Sequence, residues 1–116
     1  MADIKRFDTN QRMSKTVIYN GLHIFCGQTA TDRTQCIKGQ TQQCLDKIEA
    51  LLEQHGMDRT NLLQTTIFVR DIKDFDAMNT VWDNWIPEGH APARACLEAR
   101  AAKEDILVEI LATAGK

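Results

Sequence analysis

The last strand-forming run of this chain, residues 106–112, is apolar on both of its faces. Ile106, Val108, Ile110 and Ala112 point one way along an extended backbone, and Leu107, Glu109 and Leu111 point the other. Glu109 is the single polar group in the run. A strand of this kind has to be covered from both sides, because a solvated sheet face shows polar residues at every second position. The chain has 116 residues, so a single domain over 1–116 with one core is expected. Whatever covers the second face has to come from somewhere else.

The rest of the chain reads as strands and helices in a definite order. Thr16–Tyr19 and residues 22–26 are strand-like, and Asn20-Gly21 between them accepts positive φ at both turn positions, which predicts a tight hairpin. Gly27-Gln28-Thr29-Ala30-Thr31-Asp32 then leaves the sheet as a loop. The three- and four-residue steps between Ile37, Leu45, Ile48, Leu51 and Leu52 predict a helix over 34–55 that ends at Gly56. A strand over 63–70 follows, with Leu63, Thr65, Ile67 and Val69 on one side and Phe68 on the other. Asp71 and Asp74 are candidate caps for a second helix whose stripe is Phe75, Met78, Trp82 and Trp85, stopped by Pro87 and Gly89. That Met and aromatic stripe reads as core. Strands over 93–99 and 106–112 complete the order β-β-α-β-α-β-β.

Right-handed crossovers put both helices on the same side of one mixed sheet, which makes an α+β two-layer sandwich. Two helices cover one sheet face. Self-association is the simplest cover for the other, and it would bury Glu109 at or near a subunit interface.

Charge in such places constrains function. A carboxylate buried there needs a nearby cation or a substrate to stay ionised or to shuttle a proton. The bland alternative is an ion pair between Glu109 and a Lys or Arg across the interface. Arg94 follows Pro92, which cannot donate to a sheet ladder and belongs at a strand entrance or edge. A guanidinium at such a point can clamp a carboxylate bidentately, or it can make a surface ion pair. Cys96, two residues on, shares the side of Arg94 and reads as a small space-filling residue, with an activated thiol as the alternative. His90 sits on a loop, where it reads as a helix terminator, with an acid or base role as the alternative. Gly27 permits close backbone approach to a ligand.

Composition narrows the partners. Fourteen basic and sixteen acidic residues leave a net charge of −2, with no basic stripe, so nucleic acid is not expected. No run approaches the roughly 18 apolar residues that span a bilayer, and residues 1–10 have no signal-like apolar core. A soluble, cytoplasmic protein is expected. Cys26, Cys36, Cys44 and Cys96 form no C-x-x-C pair and have no His at zinc-ligand spacing, so reduced thiols are expected and no metal site.

Read together, these segments resemble the RidA family (also called YjgF), the reactive intermediate imine deaminases. The resemblance rests on Cys26-Gly27-Gln28, on Thr65, Ile67, Phe68, Val69 and Asp71, on Asp74-Phe75 with Ala77-Met78-Asn79, on Pro87-Glu88-Gly89-His90-Ala91-Pro92-Ala93-Arg94, and on Val108-Glu109-Ile110. It runs in order along nearly the whole chain. It implies a chorismate mutase-like sheet, a homotrimer with a barrel-like centre, and three clefts between subunits. The implied reaction is hydrolysis of 2-imino acids, or their 2-aminoacrylate enamine tautomers, to 2-keto acids and ammonia. Such imines leak from pyridoxal-phosphate enzymes, which makes the implied role the control of metabolite damage. No cofactor is implied. By the same resemblance, Arg94 would bind the substrate carboxylate and Glu109 would position and deprotonate the attacking water, helped by the Cys96 backbone. Gly27 would offer backbone contacts, and Asn79 would line or brace the cleft. Two positions depart from the family pattern: Met13 falls where a cleft-lining Tyr is frequent, and Cys26 where Ser often precedes the Gly. A non-catalytic module that binds small 2-keto carboxylates is the alternative reading. A third reading is an RNA-cleaving or chaperone-like protein, roles sometimes ascribed to the family; the charge balance argues against RNA.

Overall fold

Asn20 and Gly21 both take positive φ, 50° and 80°, and turn the chain between two antiparallel strands as their dipeptide requires. The structure, a computed structural model, describes residues 3–116. In chain order its elements are β1 (Lys5–Phe7), β2 (Thr16–Tyr19), β3 (Leu22–Phe25), α1 (Ile37–Gln54), β4 (Leu62–Val69), α2 (Phe75–Trp85), β5 (Ala93–Glu98) and β6 (Val108–Gly115). One layer is a six-stranded sheet in the order β1-β2-β3-β6-β4-β5, antiparallel except where β4 meets β5. The other layer is α1 and α2, packed against each other and against the same sheet face. The α+β two-layer architecture is the expected one. No helix among the described residues is long and apolar enough to cross a membrane.

The core lies between the layers. Leu45, Ile48 and Leu52 of α1 meet Met78 and Trp82 of α2 over Ile67, Val69, Val108 and Ile110 of the central strands. Each fully buried aliphatic side chain of this kind contributes about 1.5–3 kcal/mol. Gln40 is the polar exception. It is wholly buried, donates from Nε2 to the carbonyls of Gln35 (3.1 Å) and Asp105 (3.0 Å), and accepts at Oε1 from the Leu107 N–H (3.0 Å). It ties the start of α1 to the turn before β6, and its satisfied amide is why a polar group is tolerated there.

Several boundaries differ from expectation. β1 was not expected: it is three residues long, carries Lys5 and Arg6, and pairs only with β2 at the sheet edge, so it has no apolar alternation to reveal it. α1 begins at Ile37 instead of 34 because the Asp32 carboxylate gathers the Thr34 N–H, the Thr34 hydroxyl and the Gln35 amide into a turn. Its end is as expected. Gly56 takes φ 71°, with Gly56 N–H on the Glu53 carbonyl and Met57 N–H on the Leu52 carbonyl, the Schellman arrangement. Asp71 caps the short 3-10 turn Ile72–Asp74 through the Lys73 N–H, whereas Asp74, the N-cap of α2, makes no side-chain cap bond. The core side of β4 starts with Leu62, not Leu63. The register against β6 shifts between Leu62 and Gln64, and this bulge leaves Leu63 48% exposed. β5 stops at Glu98, and β6 runs on from Val108 to Gly115.

The sheet face away from the helices is bare and apolar in patches. Ile24, Leu97 and Leu111 point out from it, 49%, 48% and 38% exposed. Phe68 and Glu109 sit among them, half buried.

Candidate functional site

Arg94 enters β5 just after Pro92, and its register partner on β4 is Thr65. Thr65 is buried on the helix side of the sheet, so Arg94 also leaves the sheet on that side. There Nη1 donates to Asn79 Oδ1 at 2.8 Å, and the guanidinium lies 5.2 Å from the centre of the Trp82 ring. Asn79 and Trp82 are neighbours one turn apart on α2, so a single helix face supplies both contacts. Among the described residues, the ion pairs are Arg33 with Asp105 and Arg59 with Glu49. Among the described residues, Arg94 has no carboxylate partner, so the surface ion pair weighed as its alternative is not formed within the chain.

Glu109 belongs to the other face. It lies opposite Phe68 in the β4–β6 ladder and points to the uncovered side. It too has no ion-pair partner among the described residues. A hollow of about 330 Å³ surrounds it, walled by Phe68, Ala99, Arg100, Ala101 and Leu111.

Gly27 stands against the Glu109 carboxylate: a β-carbon at position 27 would collide with Oε2. The backbone explains how it comes so close. Ile24 pairs with Thr113, but Gln28 exchanges two backbone hydrogen bonds with Ile110, at 2.9 and 3.0 Å. Four residue steps after β3 thus face three on β6, and the extra residue is accommodated as a bulge beside Glu109. Gly27 is also part of a groove of about 430 Å³ that includes Met13, Cys26, Gln28 and Lys47. Met13 therefore does line a groove next to Gly27. Lys47 donates from Nζ to the Thr29 carbonyl at 2.7 Å, and the Gln28 amide donates to the Cys26 sulfur at 3.2 Å.

The thiols differ sharply. Cys96 lies on the same side as Arg94 and packs against the core, and burial pushes its thiol up despite the opposing Arg94 charge. That favours the space-filling reading over an activated nucleophile. Cys44, which the sequence did not single out, is wholly buried beneath the Gly27 segment, with Sγ 3.3 Å from the Gln28 carbonyl. Burial pushes it up to about 12, with Lys47 opposing and Glu109 adding to the rise. His90 is exposed, and its Nδ1 lies 3.0 Å from the Glu88 carbonyl of its own loop.

The structure thus brings Arg94 together with Asn79, and Glu109 together with Gly27, but within one chain it leaves the two pairs on opposite sheet faces. β4 separates their strands. With two strand spacings across and three residues along, their backbones are about 14 Å apart. The residue that sequence reasoning missed is Trp82, assigned to the core alone. Its spacing from Asn79 was the available signal.

Comparisons with known proteins agree on what kind of chain carries this arrangement. The family model described as "Endoribonuclease L-PSP" matches residues 3–116. A RutC family protein from Haemophilus ducreyi is 39% identical over 111 residues, covering 96% of this chain and 95% of its own. A 2-iminobutanoate/2-iminopropanoate deaminase from Escherichia coli is 34% identical over 80 residues, covering 67% of this chain and 62% of its own. The crystal structure of a YjgF-family protein from Neisseria meningitidis superposes with a TM-score of 0.94 at 39% identity, covering 98% of this chain and 95% of that one. With sequence, fold and the order of its segments all in agreement, the chain belongs to the RutC/YjgF family, also called RidA.

Proposed function

We propose that the protein hydrolyses small 2-imino acids, or their enamine tautomers, to 2-keto acids and ammonia, in clefts between copies of the chain in a homotrimer. The observation that carries this reading is Arg94: an exposed guanidinium with no carboxylate partner among the described residues, held by a neutral amide and an aromatic face. A cation kept in that state is suited to a substrate carboxylate.

Glu109 supplies the second group. A carboxylate half buried beside Phe68 and Leu111, with Arg100 in the wall of the same hollow and against a glycine that leaves it room, is suited to hold a water and accept its proton. The imine carbon is already electrophilic. Water adds to it while its proton passes to Glu109. Glu109 returns that proton to the nitrogen, then takes the proton of the new hydroxyl as the C–N bond breaks and passes it to the departing nitrogen, so that the products are the keto acid and ammonia. Orientation and one base are enough for this chemistry, and the base is worth about 10²–10⁴-fold. The Cys96 backbone is assigned to help hold the water. Because Arg94 and Glu109 face opposite sides of one sheet, each cleft takes Arg94 from one copy and Glu109 from another. The bare face carrying Ile24, Leu97 and Leu111 supports such packing. The deaminase named among the relatives supports the reaction class.

The test is to generate 2-iminopropionate or 2-iminobutyrate in place with an amino-acid oxidase and follow its disappearance. The wild type accelerates the loss, and Arg94→Ala does not while keeping the same mass by light scattering. Binding of 2-oxobutyrate without any acceleration would replace the deaminase by a keto-acid-binding module.

A further inference from the structure

Two arginines in this protein stack on two tryptophans of the same helix, and the difference between them is informative. Arg59 lies 5.1 Å from the Trp85 ring centre, but it also grips Glu49 with two nitrogens, at 2.9 to 3.1 Å, and donates to the Trp85 carbonyl. Its charge is neutralised inside the fold. Arg94 lies 5.2 Å from the Trp82 ring centre and has the Asn79 amide oxygen in place of a carboxylate. Among the described residues its remaining nitrogens have no protein partner. The first stack is a structural clasp. The second holds an arginine still while leaving its charge unspent.

Trp82 is 5% exposed and belongs to the core, so bulk alone would explain an apolar residue at that position. Bulk does not explain a cation on the ring. Among aromatic side chains the indole face binds a guanidinium best. Arginine has many rotamers to lose, and a planar surface that restricts them pre-organises the group for a planar carboxylate. A neutral acceptor completes the cradle without competing for the charge. An acidic residue at position 79 would hold the guanidinium harder and occupy it.

We propose that Trp82 is a positioning residue for Arg94: its indole face and the Asn79 oxygen fix the guanidinium so that a small monocarboxylate meets a pre-aligned, un-neutralised cation. The role in turnover rests on the deaminase reading above; the cradle itself does not.

The first test needs neither substrate nor variant of Trp82. In protein with ¹⁵N-labelled arginine, the Arg94 Nε–H resonance, assigned by its loss in Arg94→Lys, is expected well away from its random-coil position through the ring current of the indole. A wild-type resonance at the random-coil position overturns the proposal. The second test separates positioning from packing. Trp82→Phe and Trp82→Leu both shrink the side chain to a similar size, but Phe retains a ring face and is expected to bind 2-oxobutyrate within about twofold of wild type, whereas Leu, without a π face, is expected to weaken binding and raise KM about fivefold at unchanged kcat. Asn79→Asp is expected to weaken binding by at least as much, by neutralising Arg94. Unchanged affinity in a folded Trp82→Leu protein, with thermal melting as the check on folding, overturns the proposal. So does tighter binding in a folded Asn79→Asp protein. If wild type neither binds 2-oxobutyrate nor consumes imines, the deaminase reading fails, and the resonance position alone decides whether the cradle exists.

Discussion

Arg94 and Glu109 leave opposite faces of one sheet, with β4 lying between their strands. No rotamer of either side chain crosses a packed sheet, so a ligand that touches both must lie between two copies. This turns a question about chemistry into one about assembly. Among the described residues, neither charged group has an ion-pair partner.

The relationship predicts complementation. Arg94→Ala and Glu109→Gln are each expected to be inactive toward 2-iminopropionate. Co-expressed in equal amounts and randomly mixed, they are expected to recover about a quarter of wild-type activity, since a cleft that draws one group from each of two subunits is intact in that fraction of cases. The recovery is measured in the purified mixed oligomer. No recovery in a mixture shown by mass spectrometry to contain both chains would mean that the two residues do not share a cleft in this way.

Gly27 gives a second prediction, one that depends on space. A methyl at this position would collide with the Glu109 carboxylate. Gly27→Ala is expected to displace that carboxylate and lower kcat by about 10²-fold, the lower range for loss of a base, with little change in thermal stability. The rate in the oxidase-coupled assay, set beside the melting temperature, separates this from misfolding. Wild-type kcat in Gly27→Ala would show that the position of Glu109 does not govern the chemistry.

The third prediction concerns pH and a region away from the cleft. The His55 ring meets the Phe7 and His23 rings edge-on, with centres 4.9 and 5.3 Å apart, and among the described residues its Nε2 is buried without a partner. Burial, then the neighbouring His23 and Lys116, hold the His55 ring below its ordinary value, with Asp8 opposing weakly. The folded protein therefore binds a proton at His55 less readily than the unfolded chain. The stability contributed by its neutral form is fully present above the unfolded value of about 6.5 and declines as the pH falls through that value toward the lower folded one. Urea titrations at pH 7.5 and 5.5 are expected to show a loss of stability that is smaller in His55→Gln. Equal losses in the two proteins would remove His55 as the cause.

Where a residue's signal was local, the sequence told its structure. Asn20-Gly21 requires a particular turn, Gly56 a particular helix end, and the stripe from Phe75 to Trp85 a buried helix face, and each is found as expected. Where the outcome depended on pairing partners, the sequence was silent or misleading. Lys5 and Arg6 form a strand only because β2 offers an edge. Leu63 is exposed although Leu62 beside it is buried, because a bulge against β6 resets the alternation. A count of twos along β4 cannot see an irregularity that belongs to a ladder. The same applies to the bulge that sets Gly27 against Glu109. Trp82 was legible as core but not as the seat of Arg94, since β5 meets α2 only in three dimensions.

By itself the sequence determined the two layers, the number of helices and the bare sheet face, because periodicity and apolar content act along the chain and need no partner to be read. It also singled out Arg94, a cation at a strand entrance, and Glu109, a carboxylate in an apolar strand. Only the tertiary structure decided that β4 separates them, that Asn79 and Trp82 cradle one while Gly27 abuts the other, and that they face opposite ways. Strand order and ladder register come from contacts between segments far apart in the chain, and a small change in register moves a side chain from one face of a sheet to the other.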